Sequence, residues 1–142
     1  MKRGFFLFVL FLSFFGALAI AEEQFYIIVN SANPTSSIEQ NDLSRLFLKK
    51  ALQWPNGRPA LPVDQAEHSS VREIFSKEIH GKPVSSLLAY WQQQIFSGRS
   101  IPPIEKGSDH DVIAFIKSNP NAVGYVSAPP SDREVKILKV TH

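Results

Sequence analysis

Residues 60–75, ALPVDQAEHSSVREIF, contain the pattern that decides the fold. The short apolar run at 60–63 predicts a strand, and Pro62 favours an edge or hinge position for it. A polar loop follows this run. A helix is then expected near Ser70, because Ser70 and Glu73 have the spacing of a capping box. The segment therefore predicts a strand, a loop and a helix in direct succession.

Further strand patterns stand on both sides of this segment. Residues 25–29 form a continuous apolar run that is typical of a buried strand, and Asn30 and Ser31 end it. Residues 122–126 and 135–140 are apolar runs near the end of the chain, and we interpret them as the last two strands.

Helical spacing of apolar residues separates these strands. It predicts helices around residues 43–47, 70–80, 84–97 and 108–118. The third helix has one apolar stripe, formed by Val84, Leu87, Leu88, Trp91 and Ile95. The order β-α-β-α-α-α-β-β predicts an α/β fold with a mostly parallel sheet flanked by helices. The residues expected to pack the helices on this sheet are Leu46, Phe75, Trp91 and Ile116.

The chain begins with the features of a secretory signal peptide. Two basic residues precede an apolar run at 5–20, and residues 19–21, AIA, have the small-x-small pattern of a cleavage site. A membrane anchor is the alternative, but a spanning helix needs about 20 residues and the run is shorter. We therefore expect cleavage after Ala21. Residues 22–142 would then form a single periplasmic domain with no membrane anchor.

Composition narrows the choice of partners. The chain has 15 Lys and Arg and 13 Asp and Glu, and two of the basic residues belong to the predicted leader. The charges of residues 22–142 therefore balance, which gives no support for a nucleic-acid partner. The sequence contains no cysteine, so the domain must fold without disulfides and has no thiol to carry a lipid.

One constellation suggests a small anionic ligand. Ser69, Ser70 and Arg72 stand at a predicted helix start, where unpaired backbone N–H groups and the helix dipole favour an anion. Ser36 and Ser37 follow the first strand and are expected to approach from the other side. Ordinary helix capping and turn chemistry is the alternative explanation for these hydroxyl groups.

No pattern calls for catalysis. The four histidines are scattered, there is no cysteine nucleophile, and no Gly-x-Ser-x-Gly or phosphate-binding glycine loop occurs. His110 lies between two aspartates, but these residues are part of a predicted capping box. We therefore expect a protein that is not an enzyme and that needs no metal or cofactor.

An ordered series of short motifs resembles a known family. Residues 42–50 and 54–57, residues 69–75, and residues 119–126 are similar to three segments of the phosphate-binding, substrate-binding proteins of ABC transporters. The resemblance implies the type II periplasmic-binding fold. It also implies a phosphate-like ligand contacted by Ser69, and an ABC transporter permease or another periplasmic protein as a partner.

The departures from that family are also specific. Members have two lobes and about twice this length, so the resemblance implies roughly one lobe with hinge strands. Gln65 and Glu67 stand where the family has arginine and aspartate, and Ser70 and Val71 replace glycine and threonine. Losing the arginine removes a bidentate partner for an oxyanion, so the resemblance implies weak binding.

Two functions follow from these observations. The first is a periplasmic, non-catalytic solute-binding protein for phosphate or a related small oxyanion. The alternative is a diverged half of the same fold that acts as a protein interaction module without a small ligand.

Overall fold

The computed structural model describes residues 24–142, so the predicted signal peptide at 1–21 lies outside the described residues. The strands are β1 (Tyr26–Asn30), β2 (Ser37–Glu39), β3 (Leu61–Gln65), β4 (Ile104–Lys106), β5 (Ala122–Val126), β6 (Val135–Ile137) and β7 (Lys139–Thr141). The helices are α1 (Gln40–Phe47), α2 (Ser70–Phe75), α3 (Val84–Phe96) and α4 (Asp109–Ser118), and α2 continues into a π-helical turn, Ser76–His80. None of the described helices has the length and hydropathy needed to cross a bilayer.

The central sheet has five strands in the order β4-β3-β5-β1-β6. β3 lies parallel to both β4 and β5, whereas β1 runs antiparallel to β5 and to β6. All strands of this sheet except β1 therefore point the same way, and the predicted α/β fold with a mostly parallel sheet is confirmed. β2 and β7 form a separate parallel pair beside it.

Helices cover both faces of the sheet. Successive side chains of β1 point to opposite faces, as the period of a strand requires, so Ile27 and Ile28 belong to different core clusters. The first cluster includes residues of α1, α2 and the π-helical turn. The second cluster includes Val112 and Ile116 of α4. The predicted packing of Leu46, Phe75 and Ile116 on the sheet is confirmed.

Close packing in the second cluster explains a glycine in β5. A Cβ added at Gly124 would lie 2.7 Å from a methyl carbon of Val63 and 2.8 Å from one of Val112. Both distances are shorter than real Cβ contacts, so α4 can approach β3 and β5 only because this position has no side chain.

The position predicted for Pro62 is wrong, because β3 is an internal strand. The Leu61 N–H donates to the Asn121 carbonyl on the β5 side. Along a strand, successive N–H groups point to opposite sides, so Pro62 faces the β4 side. The β4 ladder begins one residue later, at Val63. The missing N–H of Pro62 therefore leaves no ladder hydrogen bond unmade.

The expected packing of α3 on the sheet is also wrong. Val84, Leu87 and Trp91 are buried, but α3 contributes no residue to either core cluster. The Tyr90 hydroxyl donates to the Leu48 carbonyl at 3.2 Å, so α3 lies beside the loop that follows α1. The predicted apolar stripe does not stay buried along its whole length, because Ile95 is 54% exposed.

Four short strands differ from expectation. β2 and β4, which have three residues each, lie where the sequence patterns predicted no strand. The single strand predicted over 135–140 is divided into β6 and β7. At the division, Leu138 is buried and its N–H donates to the Ile27 carbonyl. Three-residue strands carry little periodicity, so their pairing depends on the neighbouring strands.

Candidate functional site

The candidate site is the edge of the sheet where β3 and β5 end, and we call it the strand-end site. Because β3 and β5 are parallel, their carboxyl ends meet at this edge, and the loop after β3 leads directly into α2. The start of α4 lies here too, since both oxygens of Asp109 accept from the Ser127 N–H at 3.0 Å. Open α/β sheets commonly bind ligands at such an edge.

Ser69, rather than Ser70, caps α2. The Ser69 backbone is extended and its hydroxyl accepts a hydrogen bond from the Arg72 N–H at 3.3 Å. The predicted capping box of Ser70 and Glu73 is therefore wrong by one residue. Ser70 is the first residue of the helix and is exposed. Two adjacent serines satisfy the same capping preference, so the sequence could not distinguish them.

Arg72 points into the protein and is already paired. Its side chain is 4% exposed, and Nη1 donates to a carboxylate oxygen of Glu105 at 2.6 Å and to the Gln65 carbonyl at 3.1 Å. Nη2 lies 3.9 Å from the Asp64 carboxylate. Burial acts to lower the pKa of Arg72, but the Asp64 and Glu105 carboxylates outweigh it and raise that pKa. The guanidinium is thus held by internal acceptors.

Asp64 is the buried carboxylate of this network. Its Oδ1 accepts from the Tyr125 hydroxyl at 2.8 Å, and that hydroxyl accepts from the Gln65 N–H at 3.0 Å. Burial raises the pKa of Asp64 to about 6, although Arg72 and Tyr125 act in the opposite direction. Arg72 compensates only partly, because it is closer to Glu105 than to Asp64. The carboxyl group therefore titrates near neutral pH.

A pH dependence follows from Asp64. Its folded pKa of about 6 lies above the ordinary value of 3.8, so the folded state favours the protonated form. The stability contributed by that proton is lost as the pH rises from about 4 to about 6. We expect the wild type to lose stability relative to the Asp64→Asn variant over this range, measured by urea unfolding. Parallel pH profiles of the two proteins would contradict this expectation.

Gln65 and Asp109 connect the end of β3 to the start of α4. The Gln65 amide donates to Asp109 Oδ1 at 2.7 Å and to the Tyr125 carbonyl at 3.0 Å. The Ser127 hydroxyl donates to Asp109 Oδ2 at 2.7 Å. Burial acts to raise the pKa of Asp109, but the hydrogen bonds from Ser127 and Gln65 outweigh it and hold that pKa below its usual value. A charged carboxylate thus occupies the start of α4.

Ser36 and Ser37 are not brought to Ser69. Ser37 pairs with Lys139 of β7, which continues from β6 at the far side of the sheet. Between β3 and β6 lie β5 and β1. Three strand spacings of about 4.8 Å therefore separate the two sides.

A serine–histidine pair lies elsewhere in the fold. Ser44 Oγ of α1 and His80 Nδ1 of the π-helical turn are 2.7 Å apart. Burial, followed by the charge of Arg72, lowers the pKa of His80 to about 4, so the imidazole is neutral at neutral pH. Ser44 is buried within its helix. We interpret the hydrogen bond as a link between α1 and the π-helical turn, because a substrate could not reach the hydroxyl.

Sequence reasoning did not identify the residues that pair with the Arg72 guanidinium. Asp64 could have been noticed, because it is a carboxylate that directly follows a buried apolar run. Glu105 gave no usable signal, since it lies in β4, which the sequence did not predict. Tyr125 was assigned to a strand, but its contact with Asp64 depends on how β3 and β5 align.

Comparisons with known proteins give a match in structure but not in sequence. No family model and no curated protein match the sequence. A phosphate ABC transporter substrate-binding protein from Clostridium perfringens, solved with bound phosphate, matches with a TM-score of 0.65 and 20% identity over 82% of this chain and 44% of its own. An ABC-type phosphate transport receptor from Vibrio cholerae matches with a TM-score of 0.64 and 18% identity, over 82% of this chain and 45% of its own. PstS from Borrelia burgdorferi matches with a TM-score of 0.57 and 15% identity, over 82% of this chain and 47% of its own.

The match is one of fold. The chain spans less than half the length of each of these solved structures. Identities of 20% or less leave the ligand and the site residues open. The resemblance to the phosphate-binding, substrate-binding proteins of ABC transporters is therefore confirmed at the level of the fold, and the chain has the architecture of roughly one of their lobes.

Proposed function

We propose that the protein is an exported, non-catalytic binding module, built on one lobe of this fold, which recognises a protein partner and no small oxyanion. The observation that carries the proposal is the internal pairing of Arg72. Arg72 is the basic side chain that the sequence assigned to the anion, and its guanidinium is held by Glu105, Asp64 and the Gln65 carbonyl.

The charges of the strand-end site support this proposal. Asp64, Glu105 and Asp109 all lie at this edge, and Glu67 is exposed in the loop before α2. An oxyanion placed there would meet these carboxylates and a guanidinium that is already paired, with Lys106 at the end of β4 as an opposing cation. The resulting like-charge repulsion opposes the attraction of the first N–H groups of α2.

The proposal is tested by titrating inorganic phosphate into residues 22–142 in a calorimeter. We expect no binding heat and no rise of the melting temperature at millimolar phosphate, because a ligand that binds only the folded state must raise it. Sulfate is titrated in the same way as a second small oxyanion, and chloride at equal ionic strength is the control. Saturable binding of phosphate or sulfate, with a micromolar or a millimolar dissociation constant, would contradict the proposal.

A weak oxyanion site is the second candidate function, and the phosphate bound in the Clostridium perfringens structure favours it. In this candidate the ion sits at Ser69, Ser70 and Arg72, and a permease is the protein partner. Glu105→Gln would weaken the hold on Arg72 and should then improve phosphate binding. Ser70→Ala should reduce binding without loss of stability. Ser69→Ala is the poorer test, because losing the cap costs about 1 kcal/mol.

A further inference from the structure

The end of α3 forms an apolar groove with no partner among the described residues. Its lining residues are all uncharged: Ala89, Gln92, Gln93, Ile95, Phe96 and Ser97. They line an open surface depression of about 630 Å³, and we call this feature the α3 groove. Phe96 is 95% exposed, which is unusual for a large aromatic side chain at the end of a well-formed helix.

The exposure follows from how far α3 extends. Val84, Leu87 and Trp91 recur at helical spacing and are buried, and Ile95 continues the same stripe one turn later. Ile95 is 54% exposed, although the earlier residues of the stripe are buried. The apolar stripe thus continues onto a free surface, and Ile101 beyond the helix is exposed as well.

Two basic residues lie beside α3. The segments 43–63 and 79–104 contain Lys and Arg but no Asp or Glu. Lys50 lies 5.7 Å from the centroid of the Tyr90 ring, and the Arg99 N–H donates to the Gln94 carbonyl at 3.0 Å. Both side chains are exposed. Basic groups therefore flank an uncharged apolar centre.

We propose that the α3 groove is a docking site for a protein segment that inserts an apolar side chain and carries acidic residues beside it. This inference rests on the proposed function and names the partner's chemistry. An uncharged centre with a charged rim is the usual composition of a protein interface. The Gln92 and Gln93 amides can both donate and accept hydrogen bonds, which suits a peptide better than a lipid.

The same charges argue against a second copy of this chain as the occupant. A symmetric dimer through the α3 groove would use the same patch on both subunits. It would bring Lys50 and Arg99 of one copy towards Lys50 and Arg99 of the other, and like charges across an interface are unfavourable. An acidic partner gains attraction from the same groups.

The test uses residues 22–142 and a synthetic amphipathic helix of about 18 residues, with leucines on one face and glutamates on the other. A matched peptide has lysine in place of every glutamate. Fluorescence anisotropy of labelled peptide gives the affinity. We expect the acidic peptide to bind more tightly than the basic one, and more weakly as salt increases.

The variants locate the binding surface. Phe96→Ser should weaken binding of the acidic peptide by about tenfold or more, as expected for an aromatic anchor at an interface. Arg99→Glu should weaken it as well. The matched control is Ile137→Ser, because Ile137 is also an exposed apolar residue but lies in β6, outside the groove. It should leave the affinity unchanged.

Four results would overturn the inference. The first is equal binding of the acidic peptide by the wild type and Phe96→Ser, and the second is a preference for the basic peptide. The third is dimerisation that Phe96→Ser abolishes. The fourth is Phe96-dependent binding to phosphatidylglycerol vesicles without peptide binding. Failure here is separable from failure of the proposed function. Phosphate binding would contradict the proposed function, whereas a peptide complex that does not depend on Phe96 would overturn only the docking site.

Discussion

Replacing Phe75 with alanine is expected to lower the free energy of unfolding by about 3–5 kcal/mol, the usual cost of removing a fully buried phenylalanine. Phe75 stacks on Tyr125 with ring centroids 4.0 Å apart and an interplanar angle of 9°. It also contacts Phe47 at 4.8 Å and Phe25 at 5.7 Å. The truncation would therefore open a cavity between α2, α1 and the sheet. Urea unfolding measures the loss.

Phe96→Ala is the matched control for this experiment. It removes the same side chain from a position that is 95% exposed. Its effect should stay within about 0.5 kcal/mol, the range of surface substitutions. Equal losses in the two variants would show that Phe75 does not lie in the core.

Replacing Arg72 with leucine is expected to cost about 3–5 kcal/mol at about pH 8, because it leaves the buried Asp64 carboxylate without its cation. The loss should be smaller at about pH 5. Without Arg72, the folded pKa of Asp64 would lie above its present value of about 6, so the proton would stay on the carboxyl group at the lower pH. Urea unfolding at the two pH values measures both effects.

Two further variants separate the contributions to this network. The double variant Asp64→Asn, Arg72→Leu should recover part of the loss, since it removes the uncompensated charge. Glu105→Gln should cost less than Arg72→Leu, because the Glu105 side chain is 48% exposed. A double variant less stable than Arg72→Leu alone would contradict the assignment of Asp64 as the stranded charge.

The candidate site shows where sequence reasoning stops. The sequence placed Ser69, Ser70 and Arg72 together at a helix start, and the structure confirms that neighbourhood. It could not show that Arg72 turns inward, because its partners Asp64 and Glu105 lie on β3 and β4. Those strands become neighbours only when the sheet forms. The guanidinium of the predicted anion site is thus satisfied internally.

The sequence by itself determined the elements whose signals are local. The apolar run at 25–29 forms β1, and Ser108 caps α4 by accepting from the Asp111 N–H at 3.2 Å. Such signals act within one helical turn or one strand, so they can be seen without any knowledge of the rest of the chain.

Only the tertiary structure decided the direction of β1, the internal place of Pro62 in β3, and the exposure of Ile95 and Phe96 at the end of α3. Each depends on which distant segments become neighbours. An apolar residue is buried only if another surface meets it, and a charged group is free only if no opposite charge reaches it. Both conditions are set when the elements pack together.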